Sequence, residues 1–209
     1  MPDLRVIEVF DSLQGEGYWT GVPMTFVRLA GCNAPDLGLG CLRWCDTPDS
    51  WDVEKGSLLS VAEIVERVHF PRLCLTGGEP LLQAEGAGGL LAEAHRCGLR
   101  VHLETNGTIA PPLSAETFDW VVISPKPPLY GIGPAWEGLI DELKLVVDHD
   151  LDIGTAERLA VEHRGAIVSV QPQWEAGVDR GFREKAVRLV LEHPEWRLSL
   201  QTHKLLGIR

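Results

Sequence analysis

The chain has 209 residues, of which 44% are hydrophobic and 23% charged, and its formal net charge is −11. This length and composition are typical of a single folded domain, 1–209, and they exclude a disordered chain. The acidic balance argues against a nucleic-acid partner, which favours a basic protein face. There is no run of about 18 apolar residues that would span a membrane. The first residues also lack a signal-peptide profile, so we expect a cytoplasmic location.

Apolar patterns along the chain predict strands alternating with helices. Strands are predicted at 5–10, 24–29, 72–75, 100–104, 120–123, 142–147, 166–170 and 197–200. Helices are predicted at 60–68, 81–96, 155–163 and 181–193, the first with a Ser60–Glu63 capping box and the third capped by Thr155. Such alternation implies parallel strands with right-handed crossovers. About seven barrel strands are too few to close an eight-fold barrel, so we expect an α/β fold with a partial TIM-type barrel or an open sheet.

Polar segments follow the predicted strands one after another. They are Thr76-Gly-Gly-Glu79-Pro, Glu104-Thr-Asn-Gly107, Ser124-Pro-Lys126, Gln171-Pro-Gln173 and Gln201-Thr-His-Lys204. A single segment of this kind is typical of an ordinary connection between a strand and a helix. Because the carboxyl ends of parallel strands meet at one rim, segments carrying Glu, Lys, Gln and His side chains in succession favour an active site there.

The cysteines divide into two groups. Cys74 within a strand and Cys97 at a helix end are interpreted as small buried hydrophobic residues. Cys32, Cys41 and Cys45 lie close together in the loop 31–47, which is rich in Gly and Pro. A structural zinc site needs a fourth ligand, and no nearby histidine supplies one. Three cysteines instead favour a [4Fe–4S] cluster with one iron open to an exogenous ligand.

Seven segments in chain order carry a family resemblance. They are Ser12-Leu-Gln-Gly-Glu-Gly17, Phe26-Val-Arg-Leu-Ala-Gly-Cys-Asn33, Cys45-Asp-Thr47, Leu75-Thr-Gly-Gly-Glu-Pro-Leu81, Glu104-Thr-Asn-Gly-Thr108, Ser124-Pro-Lys126 and Leu200-Gln-Thr-His-Lys204. With these segments the chain resembles the radical S-adenosylmethionine enzymes and, more narrowly, the 7-carboxy-7-deazaguanine synthase family of the queuosine and 7-deazapurine pathways. The resemblance implies the radical S-adenosylmethionine fold, a [4Fe–4S] cluster and S-adenosylmethionine as cofactors.

The cysteine spacing departs from the superfamily pattern. That pattern is C-x3-C-x2-C with an aromatic residue before the last cysteine, whereas this chain has Cys32-x8-Cys41-x3-Cys45. Trp44 fills the aromatic position, but Leu42 stands where the middle cysteine would align. A slip of one residue moves a Cα by about 3.8 Å, so we expect a bulge or a helical turn to bring Cys41 to the cluster.

The resemblance also implies site residues. It assigns S-adenosylmethionine to Trp44, Asp46, Gly77, Gly78, Glu79, Ser124, Pro125, Lys126, Gln171, Pro172 and Gln173. It assigns the pterin substrate to Leu13, Gln14, Gly15, Glu16, Arg28, Thr76, His203 and Arg209, with the terminal carboxylate also at the substrate. Thr47 is implied as a Mg²⁺ ligand, although Asp-Thr-Pro also forms ordinary turns. No residue is assigned as a general acid or base, and Lys144, on an alternating strand, receives no role.

The implied reaction converts 6-carboxy-5,6,7,8-tetrahydropterin to 7-carboxy-7-deazaguanine with loss of ammonia. An electron donor such as flavodoxin and a homodimer are implied as partners. Two other functions remain open from the residues. A glycyl-radical-enzyme activase would share the cluster and Gly-Gly-Glu-Pro, although the Gln14–Glu16 segment argues against it. A non-catalytic metal-binding protein would use the same cysteines without a reaction.

Overall fold

The computed structural model describes residues 2–112, 117–174 and 181–209. Its centre is one sheet whose nine described strands run in the order β3-β1-β2-β4-β5-β6-β7-β8-β9. The strands are β1 Leu4–Leu13, β2 Pro23–Leu29, β3 Ser57–Leu59, β4 Arg72–Gly77, β5 Arg100–Thr105, β6 Trp120–Ile123, β7 Glu142–Val147, β8 Ile167–Pro172 and β9 Arg197–Leu198. From β2 to β9 all neighbours are parallel, and the two edges do not meet. The prediction of a partial barrel is therefore confirmed.

The first two strands depart from the parallel pattern. β1 pairs antiparallel with both β2 and β3. A tight connection causes this, because Gln14 N–H donates to the carbonyl of Val22 and Gly21 N–H to that of Gln14, each at 2.8 Å. A hairpin of this length leaves no room for a crossover helix. Leu13, the last residue of β1, therefore lies opposite Pro23, the first residue of β2, at the amino end of the parallel strands.

Helices lie between the parallel strands, mostly where the sequence predicts them. They are α1 Ala34–Leu37, α2 Val61–Val65, α3 Ala84–Arg96, α4 Ile153–Glu162, α5 Phe182–Glu192 and α6 Thr202–Leu206. The Ser60–Glu63 capping box is present. The prediction of Thr155 as a cap is wrong, because Asp152 caps α4 and accepts the Thr155 N–H at 2.8 Å. Helices α1 and α6 and strand β3 have no counterpart in the predicted elements, because they are too short to show a periodic pattern.

Two apolar layers join the helices to the sheet. Leucines and valines of β1, β2, β4, β5 and β6 pack against α2 and α3, and those of β7 and β8 pack against α4 and α5. Leu75, Leu103 and Leu143 are fully buried in these layers. Side chains in strands alternate, so the neighbours of these leucines point to the concave face of the sheet. That face carries polar residues, and it positions the candidate site.

The two remaining cysteines have different environments. Cys74 is fully buried against Met24 and Phe26, which confirms its interpretation as a core residue. Cys97 is exposed, so the prediction of a buried residue is wrong there. It lies at the C-cap of α3, where the helix end projects from the sheet. Among the described residues, no helix is long and apolar enough to cross a membrane.

Candidate active site

A cavity of about 270 Å³ opens at the carboxyl ends of the parallel strands. All five polar segments predicted from the sequence contribute to its wall. The predicted site residues that line it are Leu13, Gln14, Gly15, Glu16, Arg28, Cys32, Cys41, Trp44, Cys45, Asp46, Thr47, Thr76, Gly77, Gly78, Ser124, Lys126, Gln171, Gln173, His203 and Arg209. Segments far apart in sequence thus form one concave surface, as expected for this architecture.

Three predicted residues lie outside this wall, namely Glu79, Pro125 and Pro172. The Glu79 side chain is fully buried behind it, and both carboxylate oxygens have protein partners. Oε1 accepts hydrogen bonds from the Thr105 hydroxyl at 2.8 Å and from Leu81 N–H at 3.1 Å, and Oε2 accepts one from Asn106 N–H at 2.8 Å. Burial raises the pKa of Glu79, although these bonds oppose the shift. Here Glu79 ties the loops after β4 and β5 together.

The three clustered cysteines line one side of the cavity. Cys41 is buried, and Cys32 and Cys45 are half-buried. Cys41 lies in a 3₁₀ turn, Gly40–Arg43, which is closed by a 3.1 Å hydrogen bond from Trp44 N–H to the Cys41 carbonyl. This turn is the helical turn expected from the unusual spacing. It places the Cys41 side chain, rather than that of Leu42, in the cavity wall.

The environment of these thiols suits iron–sulfur ligation. The Trp51 indole N–H donates to Cys45 Sγ at 3.3 Å, and Ala34 N–H donates to Cys32 Sγ at 3.5 Å. Hydrogen bonds to the sulfurs help to set the potential of such clusters. Burial raises the pKa of Cys32 to about 11 and also raises that of Cys41. These thiols therefore favour the protonated form, and an iron–sulfur cluster would supply the positive charge that stabilises their thiolates.

The side chains do not form a site for a single ion. Within residues 2–112, 117–174 and 181–209, no three His, Cys, Asp or Glu side chains come close enough to share one metal ion. A cubane cluster spreads its thiolate ligands further apart than one zinc ion does. The donor set, three thiols facing an open cavity, fits a cluster with one free iron.

Gly78 allows the β4 loop to approach the cluster loop closely. A Cβ at this position would lie 2.7 Å from Cys32 Cβ and would clash with the Gly31 carbonyl. The Glu79 N–H donates to that same carbonyl at 2.8 Å. Side chains larger than hydrogen at position 78 therefore move Cys32, so this glycine positions the first thiol.

A second wall of the cavity is formed by the loops after β6 and β7. Lys126 is half-buried, its Nζ donates to Ser124 Oγ at 2.7 Å, and it lies 5.5 Å from the centre of the Trp44 ring. Burial lowers the pKa of Lys126. Trp44 Nε1 donates to Asp148 Oδ2 at 2.9 Å. The aromatic residue beside Cys45 is therefore held between a cation and a carboxylate.

The opposite wall carries the polar end of the β1–β2 hairpin. Gln14 donates its amide to Glu104 at 3.1 Å, and Glu16 accepts hydrogen bonds from Lys144 at 2.5 Å and from Gln201 at 2.6 Å. Burial alone would raise the pKa of Glu16. The charge of Lys144, with hydrogen bonds from Lys144 and Gln201, outweighs this and lowers it to about 2. This wall therefore presents hydrogen-bond acceptors, namely an ionised carboxylate and an amide oxygen.

Two guanidinium groups share one carboxylate near the mouth. Arg28 Nε lies 2.9 Å from Glu8 Oε1, and Arg209 binds the other oxygen of Glu8. The backbone carbonyl of Arg209 also accepts a hydrogen bond from Ser12. His203 lies against Gly15, and burial lowers the pKa of its imidazole. The tail thus lies along β1 at the cavity mouth.

Several functional residues were not assigned from the sequence. Glu8, Glu104, Lys144, Asp148 and Gln201 all bind residues of the cavity wall. Alternation in β7 gave a signal for Lys144, since its neighbours are leucines that pack in the core. The partners of these residues lie far away in sequence, so no local sequence pattern indicates the pairs.

No family model matches the chain. It is 38% identical to 7-carboxy-7-deazaguanine synthase of Synechocystis sp., covering 98% of this chain and 93% of that protein. It is 40% identical to the synthase of Bacteroides thetaiotaomicron, covering 98% of each. The crystal structure of QueE from Escherichia coli superposes with a TM-score of 0.77 at 24% identity, covering 95% of this chain and 93% of that one, and supports the fold. From the full-length relatives, we conclude that the chain belongs to the 7-carboxy-7-deazaguanine synthase family of radical S-adenosylmethionine enzymes.

Proposed function

We propose that this chain converts 6-carboxy-5,6,7,8-tetrahydropterin to 7-carboxy-7-deazaguanine with loss of ammonia. One observation carries the proposal: three free thiols and five polar strand-end segments form the wall of one cavity. The family membership supports the same reaction. A [4Fe–4S] cluster and S-adenosylmethionine, when bound, supply the electron and the radical that removes hydrogen from the substrate.

The cluster side of the cavity belongs to Cys32, Cys41 and Cys45. Their thiolates would hold a [4Fe–4S] cluster with one iron left open for S-adenosylmethionine. Donors from Trp51 and Ala34 stabilise the negative charge on two of the sulfurs. Cys41 is buried, and its packing limits the access of bulk water to the cluster side of the cavity.

The S-adenosylmethionine contacts are proposed along the loops after β4, β6 and β8. Gly78 comes close to Cys32, Gly77 lies next to it in the cavity wall, and their backbone groups suit the methionine end. Ser124 and Lys126 suit its oxygen atoms, because a lysine ammonium attracts carboxylate and hydroxyl oxygens. The remaining contacts are proposed for Trp44, Asp46, Gln171 and Gln173, with Glu79, Pro125 and Pro172 shaping the loops from behind.

The pterin contacts are proposed on the opposite wall. Gln14 and Glu16 offer amide and carboxylate groups to the N–H groups of the pyrimidine ring. Arg28 suits the substrate carboxylate, because a guanidinium binds such groups through two parallel hydrogen bonds. The rest of this wall comes from Leu13, Gly15, Thr76, His203 and Arg209.

Mg²⁺ is proposed at Thr47, beside the last cluster cysteine. The Thr47 hydroxyl lies 3.6 Å from Cys45 Sγ and faces the cavity. Mg²⁺ commonly takes few protein ligands and completes its shell with water and substrate oxygens. A Thr47→Ala variant should therefore lose the rate increase given by Mg²⁺ while it keeps its iron.

The partners belong to the same proposal. A small electron carrier such as flavodoxin is expected to reduce the cluster, and the active protein is expected to be a homodimer. Three free thiols that bind a cluster require a reducing compartment, which supports a cytoplasmic location. The pterin is a small molecule that fits a cavity of about 270 Å³.

The test is anaerobic turnover of reconstituted protein with the carboxy-tetrahydropterin, S-adenosylmethionine, Mg²⁺ and dithionite. We expect 7-carboxy-7-deazaguanine and ammonia in equal amounts. A reconstituted protein with about four irons per chain that cleaves S-adenosylmethionine but forms no deazaguanine would contradict the assignment. Loss of activity in Cys45→Ala, with activity kept in Cys97→Ala, would assign the product to this chain.

A further inference from the structure

Lys144 is buried at the base of the cavity, on the concave face of β7. Its side chain is 9% exposed, and its Nζ lies 2.5 Å from Glu16 Oε2 and 3.8 Å from Glu104 Oε1. Its neighbours Leu143 and Leu145 point to the other face and pack in the core. The backbone therefore fixes where this ammonium sits, between two carboxylates of the proposed pterin wall.

The charged groups around Lys144 come from several elements and carry an excess of negative charge. They are the carboxylates Glu16 after β1, Glu104 on β5 and Glu142 on β7, and a second cation, Lys126 after β6. Two further titratable groups are the Cys74 thiol on β4, whose pKa burial raises well above its usual value so that it stays neutral, and His203 on α6, which faces Glu16 and Glu104. Lys126 donates to Ser124 on the S-adenosylmethionine side. Glu142 is held separately by the Tyr18 N–H, the Ser169 hydroxyl and the Trp120 indole. Lys144 is thus the cation that faces Glu16 and Glu104.

Two carboxylates beside one another stay ionised only when a cation compensates their charge. Glu104 accepts hydrogen bonds from the Gln14 amide at 3.1 Å and from the Thr76 hydroxyl at 3.3 Å, and these partners are neutral. Glu16 receives the Gln201 amide besides Lys144. Without the ammonium, one carboxyl would take up a proton and present a donor where the substrate presents N–H groups.

We propose that Lys144 is a positioning residue for the substrate: it holds Glu16 and Glu104 ionised and in place, so that these two carboxylates offer only acceptors to the N–H-rich edge of the pterin. The inference rests on the proposed function, because it concerns how that substrate is recognised. It assigns Lys144 no contact with S-adenosylmethionine and no proton transfer. Its effect should therefore fall on substrate affinity.

The experiment measures equilibrium binding of the carboxy-tetrahydropterin to unreduced holoenzyme from about pH 6 to about pH 8.5. Lys144→Met should raise Kd about tenfold or more relative to the wild type at the acid end. The ratio of the two Kd values should fall as pH rises, because the carboxyl group then loses its proton. Lys144→Arg keeps the charge and should show a ratio that does not depend on pH.

Two readouts separate this role from a general loss of structure. Iron content and the slow cleavage of S-adenosylmethionine without pterin should stay within about twofold of the wild type, since neither uses this wall. Arg188→Met removes an exposed cation on α5, which pairs with Glu184 at 3.7 Å, and should leave Kd unchanged. If Lys144→Met does not fold, the double variant with Glu16→Gln removes one charge of each sign and should give a weaker but pH-independent Kd.

Three results would overturn the inference. The first is a Lys144→Met holoenzyme that binds the pterin as the wild type does at every pH. The second is an equal, pH-independent loss in Lys144→Met and Lys144→Arg, which would indicate a packing role only. The third is a pH-dependent ratio in the double variant. Failure of the wild type to bind the pterin would instead overturn the proposed function itself.

Discussion

Trp44 and Asp148 are joined by a hydrogen bond of 2.9 Å between the indole Nε1 and the carboxylate Oδ2. The other oxygen of Asp148 accepts N–H groups of Asp150 at 2.9 Å and Leu151 at 3.1 Å. Asp148 is 2% exposed. A rigid loop after β7 therefore sets the orientation of the aromatic ring next to Cys45.

Replacing Asp148 by Ala should weaken S-adenosylmethionine binding about tenfold, because the Trp44 indole N–H loses the carboxylate that accepts its hydrogen bond and the ring can then rotate. The free energy of unfolding should fall by about 1–3 kcal/mol from the buried N–H groups left unpaired. Equilibrium dialysis and thermal unfolding measure the two effects. Asp152→Ala, which removes the cap of α4, should cost about 1 kcal/mol of stability and leave the affinity unchanged. Equal affinities in the two variants would refute the coupling.

Each of the three clustered cysteines should be required for the cluster. Ala at position 32, 41 or 45 should leave reconstituted protein with far fewer than about four irons per chain, because a cluster held by two thiolates is labile. Cys97→Ala is the matched control, since that thiol is exposed on α3 away from the cavity. Iron and sulfide analysis decides, and a Cys41→Ala protein with full iron content would remove Cys41 from the ligand set.

The 3₁₀ turn makes a sharper prediction about spacing. Exchanging Cys41 and Leu42 would restore the x2 separation from Cys45, yet it should abolish cluster binding. The reason is that the turn directs position 41 into the cavity wall, while Leu42 packs among Ala34, Leu39 and Trp44. Absorbance near the iron–sulfur bands after reconstitution measures this. Full cluster uptake by the exchanged protein would show that the loop adapts to either spacing.

His102 should weaken the fold at acid pH. It is 3% exposed against Trp19, and burial lowers its pKa to about 4. In the unfolded chain this imidazole binds a proton near pH 6.5. His102 therefore leaves the free energy of unfolding unchanged above that pH and lowers it as pH falls towards about 4. Below about pH 4 the full loss is about 3 kcal/mol. His102→Gln should flatten this part of the stability curve, measured by denaturant unfolding, whereas half-buried His163→Gln should not. A wild-type curve that does not fall between these values would contradict the assignment.

Arg28 should govern the affinity for the carboxylated substrate. Its guanidinium lies in the cavity wall and already pairs with Glu8 at 2.9 Å, so Glu8 holds it in place. Arg28→Gln should raise KM for the pterin about tenfold or more, with a smaller change in kcat, since a charge-assisted hydrogen bond is lost. Arg100→Gln, exposed and paired with Asp119, is the control and should leave both constants unchanged. A fall in kcat alone would place Arg28 outside substrate binding.

The sequence predicted the convergence of the polar segments well, because parallel topology alone brings strand ends together. It also predicted β6 and β7 with their observed bounds. It missed the antiparallel direction of β1, since the direction depends on how a short turn closes rather than on the strand pattern. Thr155 was predicted as the N-cap because Ser, Thr and Asp side chains all accept hydrogen bonds from the first N–H groups of a helix. In the structure Asp152, three residues earlier, is the N-cap.

Pairings across the cavity were beyond prediction for a different reason. Lys144 meets Glu16 from 128 positions away, and Trp44 meets Asp148 from 104 positions away. One sequence fixes which face each residue occupies, through alternation, but not which residue of another strand lies opposite it. Glu79 shows the same limit: its motif is readable, but the partners that hold it behind the wall lie in another loop.

The 3₁₀ turn at Gly40–Arg43 has a consequence for how such proteins are found in genomes. A genome search that requires a fixed spacing between the three cysteines would overlook a protein whose longer loop brings the same thiols together through a 3₁₀ turn. In this chain the coil of one short turn, and not the number of residues between the thiols, decides which side chain reaches the common wall.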